Sequence, residues 1–102
     1  MCIRDSSKLA NVETIKGHAS SATTVVLTGQ LETLKVDGGS AGDTITGGNG
    51  DDIITGGGGD DIIAGGAGDD SLTGNADNDT FKVDGGTDTI TDLATGDIVV
   101  VS

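Results

Sequence analysis

Aspartate recurs at every ninth residue through the middle of this sequence, as Asp43, Asp52, Asp61, Asp70 and Asp79. Two residues beyond each stands an apolar side chain: Ile45, Ile54, Ile63, Leu72 and Phe81. Between Val36 and Phe81 there are ten aspartates and no Lys, Arg or His to neutralise them. Carboxylates spaced among glycines can offer hard oxygen atoms to a cation, both their own and those of carbonyls that no side chain shields. They do not offer catalysis. His18 is the only histidine, with no nucleophile and acid arranged around it, and it reads as a solvated loop residue. Cys2 is the only cysteine, so neither an intrachain disulfide nor a thiolate zinc site can be built. The expectation is a protein that is not an enzyme.

Written in a nine-residue register, the segment reads GGSAGDTIT (38–46), GGNGDDIIT (47–55), GGGGDDIIA (56–64), GGAGDDSLT (65–73) and GNADNDTFK (74–82). The same ruler finds Asp88 and Ile90 downstream and Val36 upstream. The pattern G-G-x-G-x-D-x-U-x, with U apolar, is the calcium-binding nonapeptide of RTX proteins. The chain resembles that RTX, or haemolysin-type, family. Repeats over 47–73 match at every defined position, and those at 38–46 and 74–82 match in part.

The resemblance implies an all-β fold, a parallel β-roll (a right-handed, β-helix-like solenoid) with short strands and Gly/Asp-rich calcium-binding turns. In each repeat xUx is a strand with its central side chain inward, and GGxGxD reverses the chain with conformations that favour glycine. Two repeats make a coil of eighteen residues, and coils stack at roughly 4.8 Å. Turns of repeats n and n+2 then lie over one another, and in the family one Ca²⁺ sits between them. Carried over, the carboxylate pairs are Asp43 with Asp61, Asp52 with Asp70, Asp61 with Asp79, and Asp70 with Asp88. The main-chain donors are the carbonyls of Gly47, Gly48, Gly50, Gly56, Gly57, Gly59, Gly65, Gly66 and Gly68. Calcium takes six to eight such oxygens in a tolerant geometry.

Some positions depart from the pattern. Ala41 stands where a repeat carries glycine, and alanine is disfavoured at positive φ, which weakens the Asp43/Asp61 site. Asn75 and Asp77 also replace glycines but tolerate that region better. The fifth-position aspartates Asp51, Asp60 and Asp69 read as solvent-facing groups that raise the local negative potential. Phe81 reads as a plug closing the end of the roll. Thr44, Thr46, Thr55 and Thr73 flank inward residues and face outward.

The elements that position these residues are all short β runs, since no segment keeps a 3.6-residue apolar period. Residues 1–6 resemble translated sequencing-adapter sequence and read as a non-native or disordered tail. Residues 7–37 read as N-terminal β coils with runs at Val12–Ile15, Thr23–Thr28 and Leu34–Val36. Residues 38–82 are the repeats, and 83–102 a C-terminal β flank with Thr89–Thr91 and Ile98–Val101. With 19 glycines, 1% aromatic residues and a net charge of −12 among 102 residues, composition alone favours disorder. Region 38–82 is therefore expected to fold only when calcium offsets carboxylate repulsion.

The charge excludes nucleic acid and anionic membrane surfaces as partners. No apolar run is long enough to span a bilayer, and the N-terminus has no signal-peptide core. The resemblance implies calcium ions as partner and secretion to the extracellular space, where the type I secretion machinery and cell-surface neighbours are further partners. The expected role is a structural or adhesive module, or an export and folding module. The alternatives are the C-terminal module of a secreted enzyme or toxin, and a disordered acidic spacer without metal.

Overall fold

An apolar side chain every nine residues can reach one core only if each repeat supplies a short strand and then turns back. The computed structural model describes residues 2–3, 14–16, 22, 24–26, 33–83 and 85–101. Its strands in chain order are β1 (Cys2–Ile3), β2 (Thr14–Lys16), β3 (Thr24–Val26), β4 (Lys35–Gly39), β5 (Thr44–Thr46), β6 (Ile53–Gly57), β7 (Ile62–Ala64), β8 (Ser71–Asn75), β9 (Thr80–Val83), β10 (Thr89–Ile90) and β11 (Ile98–Val101). Odd strands form one sheet, in the order β1-β3-β5-β7-β9-β11, and even strands the other, in the order β10-β8-β6-β4-β2. Every pairing is parallel. There is no helix among the described residues. This is a parallel β-roll.

Register shows how regular the winding is. In one sheet Ile45 lies beside Ile63, Ile63 beside Phe81 and Phe81 beside Val99. In the other, Val36, Ile54, Leu72 and Ile90 succeed one another. Each of these steps is eighteen residues. Upstream the coils are longer, because Val25 pairs with Ile45, Ile15 with Val36 and Ile3 with Val25. The N-terminal strands thus join the same two sheets as the repeats. Cys2–Ile3, inside the segment read from sequence as a tail, forms β1.

The core is a column of inward apolar side chains, most of them at U positions. Val25, Leu34, Val36, Ile45, Ile54, Ile63, Leu72 and Phe81 are at most 1% exposed, with Ile90 packed against them. Side chains alternate in and out along β3, β4, β5, β6 and β8, and the flanking threonines face outward as expected: Thr44 is exposed, and Thr46, Thr55 and Thr73 are half-buried.

Two expectations need correcting. Phe81 does not close the roll, because Val99 of β11 stacks over it and Phe81 is fully buried. The strain expected at Ala41 does not arise, because Ala41 is outside the left-handed region, whereas Asn75 (φ 79°) and Asp77 (φ 74°) occupy it. His18 lies outside the described residues.

Candidate metal centre

The sixth-position aspartates stand where each turn re-enters the next strand, and the turns stack in two columns. One edge of the roll carries Asp43, Asp61, Asp79 and Asp97, and the other carries Asp52, Asp70 and Asp88. These side chains point inward beneath the turn: Asp43, Asp52, Asp61, Asp70 and Asp79 are only 1–2% exposed. The first glycine of each repeat makes room for them. A Cβ added to Gly56, Gly65 or Gly74 would overlap the carboxylate of Asp61, Asp70 or Asp79 in the same turn. That requirement is steric, since none of these three glycines takes a left-handed φ.

Each buried carboxylate commits one oxygen to the coil before it. Asp61 Oδ1 accepts the Asp43 N–H (2.7 Å), Asp70 Oδ1 the Asp52 N–H (2.8 Å), Asp79 Oδ1 the Asp61 N–H (3.0 Å) and Asp88 Oδ1 the Asp70 N–H (3.1 Å). All four sequence-predicted pairs are therefore stacked in contact. The second oxygen differs. Asp61, Asp70, Asp79 and Asp88 each keep a buried Oδ2 that accepts no hydrogen bond. Leaving such an atom unpaired costs roughly 1–3 kcal/mol, and more when it is charged.

Main-chain oxygens face the same gaps. The carbonyl oxygens of Gly48 and Gly50 rise against the α-carbons of Gly66 and Gly68, and the Gly65 carbonyl comes down onto Gly47. The gap between turns 47–52 and 65–70 thus has carbonyls on both walls and the Asp70 carboxylate at its inner end. The second-position carbonyls are partly engaged: Gly48, Gly57 and Gly66 accept the N–H groups of Ala67, Ala76 and Gly85. A carbonyl has a second lone pair, so these remain able to meet a cation. Among the described residues no three His, Cys, Asp or Glu side chains come together. Any metal held here takes much of its shell from the main chain.

Electrostatics point the same way. Burial raises the Asp61 carboxyl to about 7; the Asp43 N–H lowers it, and repulsion from Asp79, Asp43 and Asp60 adds to the rise. Burial likewise lifts Asp70 to about 6, with Asp88 and Asp52 adding repulsion. Asp52 and Asp79 are raised by burial too. These are carboxylates that lack a positive charge. A divalent cation in the gaps would supply one, and the hard oxygen donors suit calcium.

Two kinds of residue escaped sequence reasoning. The nine-residue ruler that found Asp88 and Ile90 continues to Asp97 and Val99, so residues 92–100 are one further, glycine-poor repeat; one more step would have found it. Asp97 Oδ1 accepts from Asp79 N (2.9 Å) and its Oδ2 from Ala94 N (2.7 Å), and these N–H groups hold its carboxyl below the usual range. At the opposite end of the other column, Leu34 fills the aspartate place and is 1% exposed. Asp52 there has both oxygens occupied, by Leu34 N (3.0 Å) and Gly48 N (2.9 Å). Asp61, Asp70 and Asp79 thus keep open oxygens within their columns, and Asp88 keeps one at the end of its own.

A two-sheet parallel solenoid with carboxylates and carbonyls turned into the gaps at its edges is, by fold and site, a cation-binding repeat module. The RTX calcium-binding nonapeptide repeat model matches the chain in four copies, over residues 37–72 and 59–90. Together these spans cover just over half of the sequence, and the chain belongs to that family. It is a calcium-binding β-roll module. No curated protein and no solved structure matches it.

Proposed function

We propose that the chain is a calcium-coupled folding module of a secreted protein. Ca²⁺ would be held between stacked turns by Asp43 with Asp61, Asp52 with Asp70, Asp61 with Asp79 and Asp70 with Asp88. The carbonyls of Gly47, Gly48, Gly50, Gly56, Gly57, Gly59, Gly65, Gly66 and Gly68 complete the shells. The observation that carries this reading is the set of buried, unpartnered Oδ2 atoms on Asp61, Asp70, Asp79 and Asp88. Bound calcium supplies the positive charge that the carboxylates lack, and the chain's own residues do the rest. The glycines hold carbonyls in the gaps, the U column sets the coil spacing, and the carboxylates release their protons.

Family membership supports extracellular placement and type I export. Low cytosolic calcium would leave the nonapeptide region unfolded and exportable, and extracellular calcium would fold it into a structural, adhesive or export-folding element. Isothermal titration with Ca²⁺ alongside far-UV circular dichroism tests this. The expected result is binding of several ions coupled to a gain of β-signal. Full β-signal in chelator, or no heat on adding millimolar calcium, would overturn it.

A further inference from the structure

The fifth-position aspartates are exposed, yet their carboxylates are not free. Asp51 Oδ1 accepts the Asp69 N–H (2.9 Å), Asp60 Oδ1 the Asn78 N–H (3.0 Å) and Asp69 Oδ1 the Thr87 N–H (2.9 Å). Each donor is the fifth residue of the repeat eighteen positions on. The direction is opposite to that of the sixth-position ladder, in which a carboxylate accepts from the preceding coil. An Asp-Asp dipeptide therefore braces its turn both ways. In turn 65–70, Asp69 donates to Asp51 below and accepts from Thr87 above; Asp70 accepts from Asp52 below and donates to Asp88 above.

We propose that Asp51, Asp60 and Asp69 are positioning residues for the calcium turns, fixing the separation of stacked turns through these three hydrogen bonds. Three observations separate this role from ligation and from a diffuse negative field. The accepting oxygens lie on the exposed rim, each directed at an N–H group of the next coil. The acceptor reaches one atom in one register. The bond also constrains the next turn: a Cβ on Gly68 would come within 2.9 Å of Asp51 Oδ1, and one on Gly86 equally close to Asp69 Oδ1. The fourth-position glycine of one repeat thus makes room for the fifth-position carboxylate of the repeat two before it. A turn gap held at constant width keeps the carbonyls and the buried Oδ2 atoms in place for an ion.

This inference rests on the calcium reading, so its test carries a readout that does not. In the full chain, Asp51→Asn/Asp60→Asn/Asp69→Asn keeps the acceptor oxygens and removes the charge, whereas Asp51→Ala/Asp60→Ala/Asp69→Ala removes both. Calcium binding is followed by titration calorimetry, and the amides of Asp69, Asn78 and Thr87 by hydrogen exchange in NMR. The expected result is an asparagine variant within about threefold of the parent midpoint, and an alanine variant weaker by about tenfold with those three amides unprotected. Calcium stoichiometry is the same in all three proteins. Equal weakening by asparagine and alanine would show that only charge matters, and a lost ion would make these residues ligands; either result overturns the proposal. A parent chain that binds no calcium refutes the functional reading instead, while amide protection still reports on the bonds. If the triple alanine variant does not fold, Asp69→Ala alone must deprotect Thr87 and spare Asn78.

Discussion

Stripped of calcium, this chain should fold better in mild acid than at neutral pH. Burial lifts Asp61 to about 7 and Asp70 to about 6 in the folded coil, against an ordinary carboxyl value of 3.8 for each. Between 3.8 and those values the folded chain holds protons that the unfolded chain has released. Stability therefore falls as pH rises through this window and is regained on acidification. Between about pH 7.5 and pH 5 the two carboxylates would contribute about 4 kcal/mol if unscreened. Solvent beside the turns reduces this to about 2 kcal/mol, roughly thirtyfold in the folded population. The assay is far-UV circular dichroism of protein stripped on a chelating resin, with sedimentation velocity to exclude aggregation toward its pI of about 4.1. Calcium reverses the slope, because ligand carboxylates must be deprotonated and protons then compete with the ion. A far-UV β-signal in the stripped chain that is flat or falls from about pH 7.5 to pH 5 would refute the argument that burial without a counter-charge raises these groups.

Three further outcomes follow from the geometry. Gly65→Ala places a methyl group on the Asp70 carboxylate and should weaken calcium binding at least about tenfold, whereas Gly58→Ala meets only Ser40 atoms at 3.5 Å or more and should be neutral or slightly stabilising; equal effects in calorimetry would discredit the steric role of the first glycine. Ile63→Ala, at a position with no exposed surface, should cost about 2–5 kcal/mol, read as a lower urea midpoint in saturating calcium. Asp70→Asn should reduce the number of bound ions, while Asp97→Asn, whose parent carboxylate is satisfied by Asp79 and Ala94 amides, should leave it unchanged by titration calorimetry.

Much of this molecule is legible in its sequence because one period carries two kinds of information. The U residues report which side chains meet, and the aspartates two positions earlier report which turns stack. The four carboxylate pairs follow from adding eighteen. Legibility fails where chain length between strands is set by something other than the nonapeptide. The longer coils before Val36 contain no GGxGxD turn, so spacing there cannot predict that Val25 joins Ile45 or Ile15 joins Val36. Leu34 is hidden for a related reason: an apolar residue in the carboxylate place looks like an ordinary strand residue until the turn above it is known. The fifth-position bonds were invisible because an exposed aspartate can accept from water as readily as from an amide. Only the stacked coil brings the N–H of residue n+18 within reach.

Because each nonapeptide carries the chain only half-way around a coil, successive repeats alternate between the two edges. Inserting or deleting one nonapeptide would leave every U side chain inward and every sixth-position aspartate in a turn. It would nevertheless send all later residues to the opposite side of the molecule. A column such as Thr55, Thr73 and Thr91 would be severed, its later members moving to the other outer face. Two nonapeptides added together would change only the height of the stack. The core and the turns cannot count repeats, but a surface that depends on aligned outer columns must distinguish odd from even.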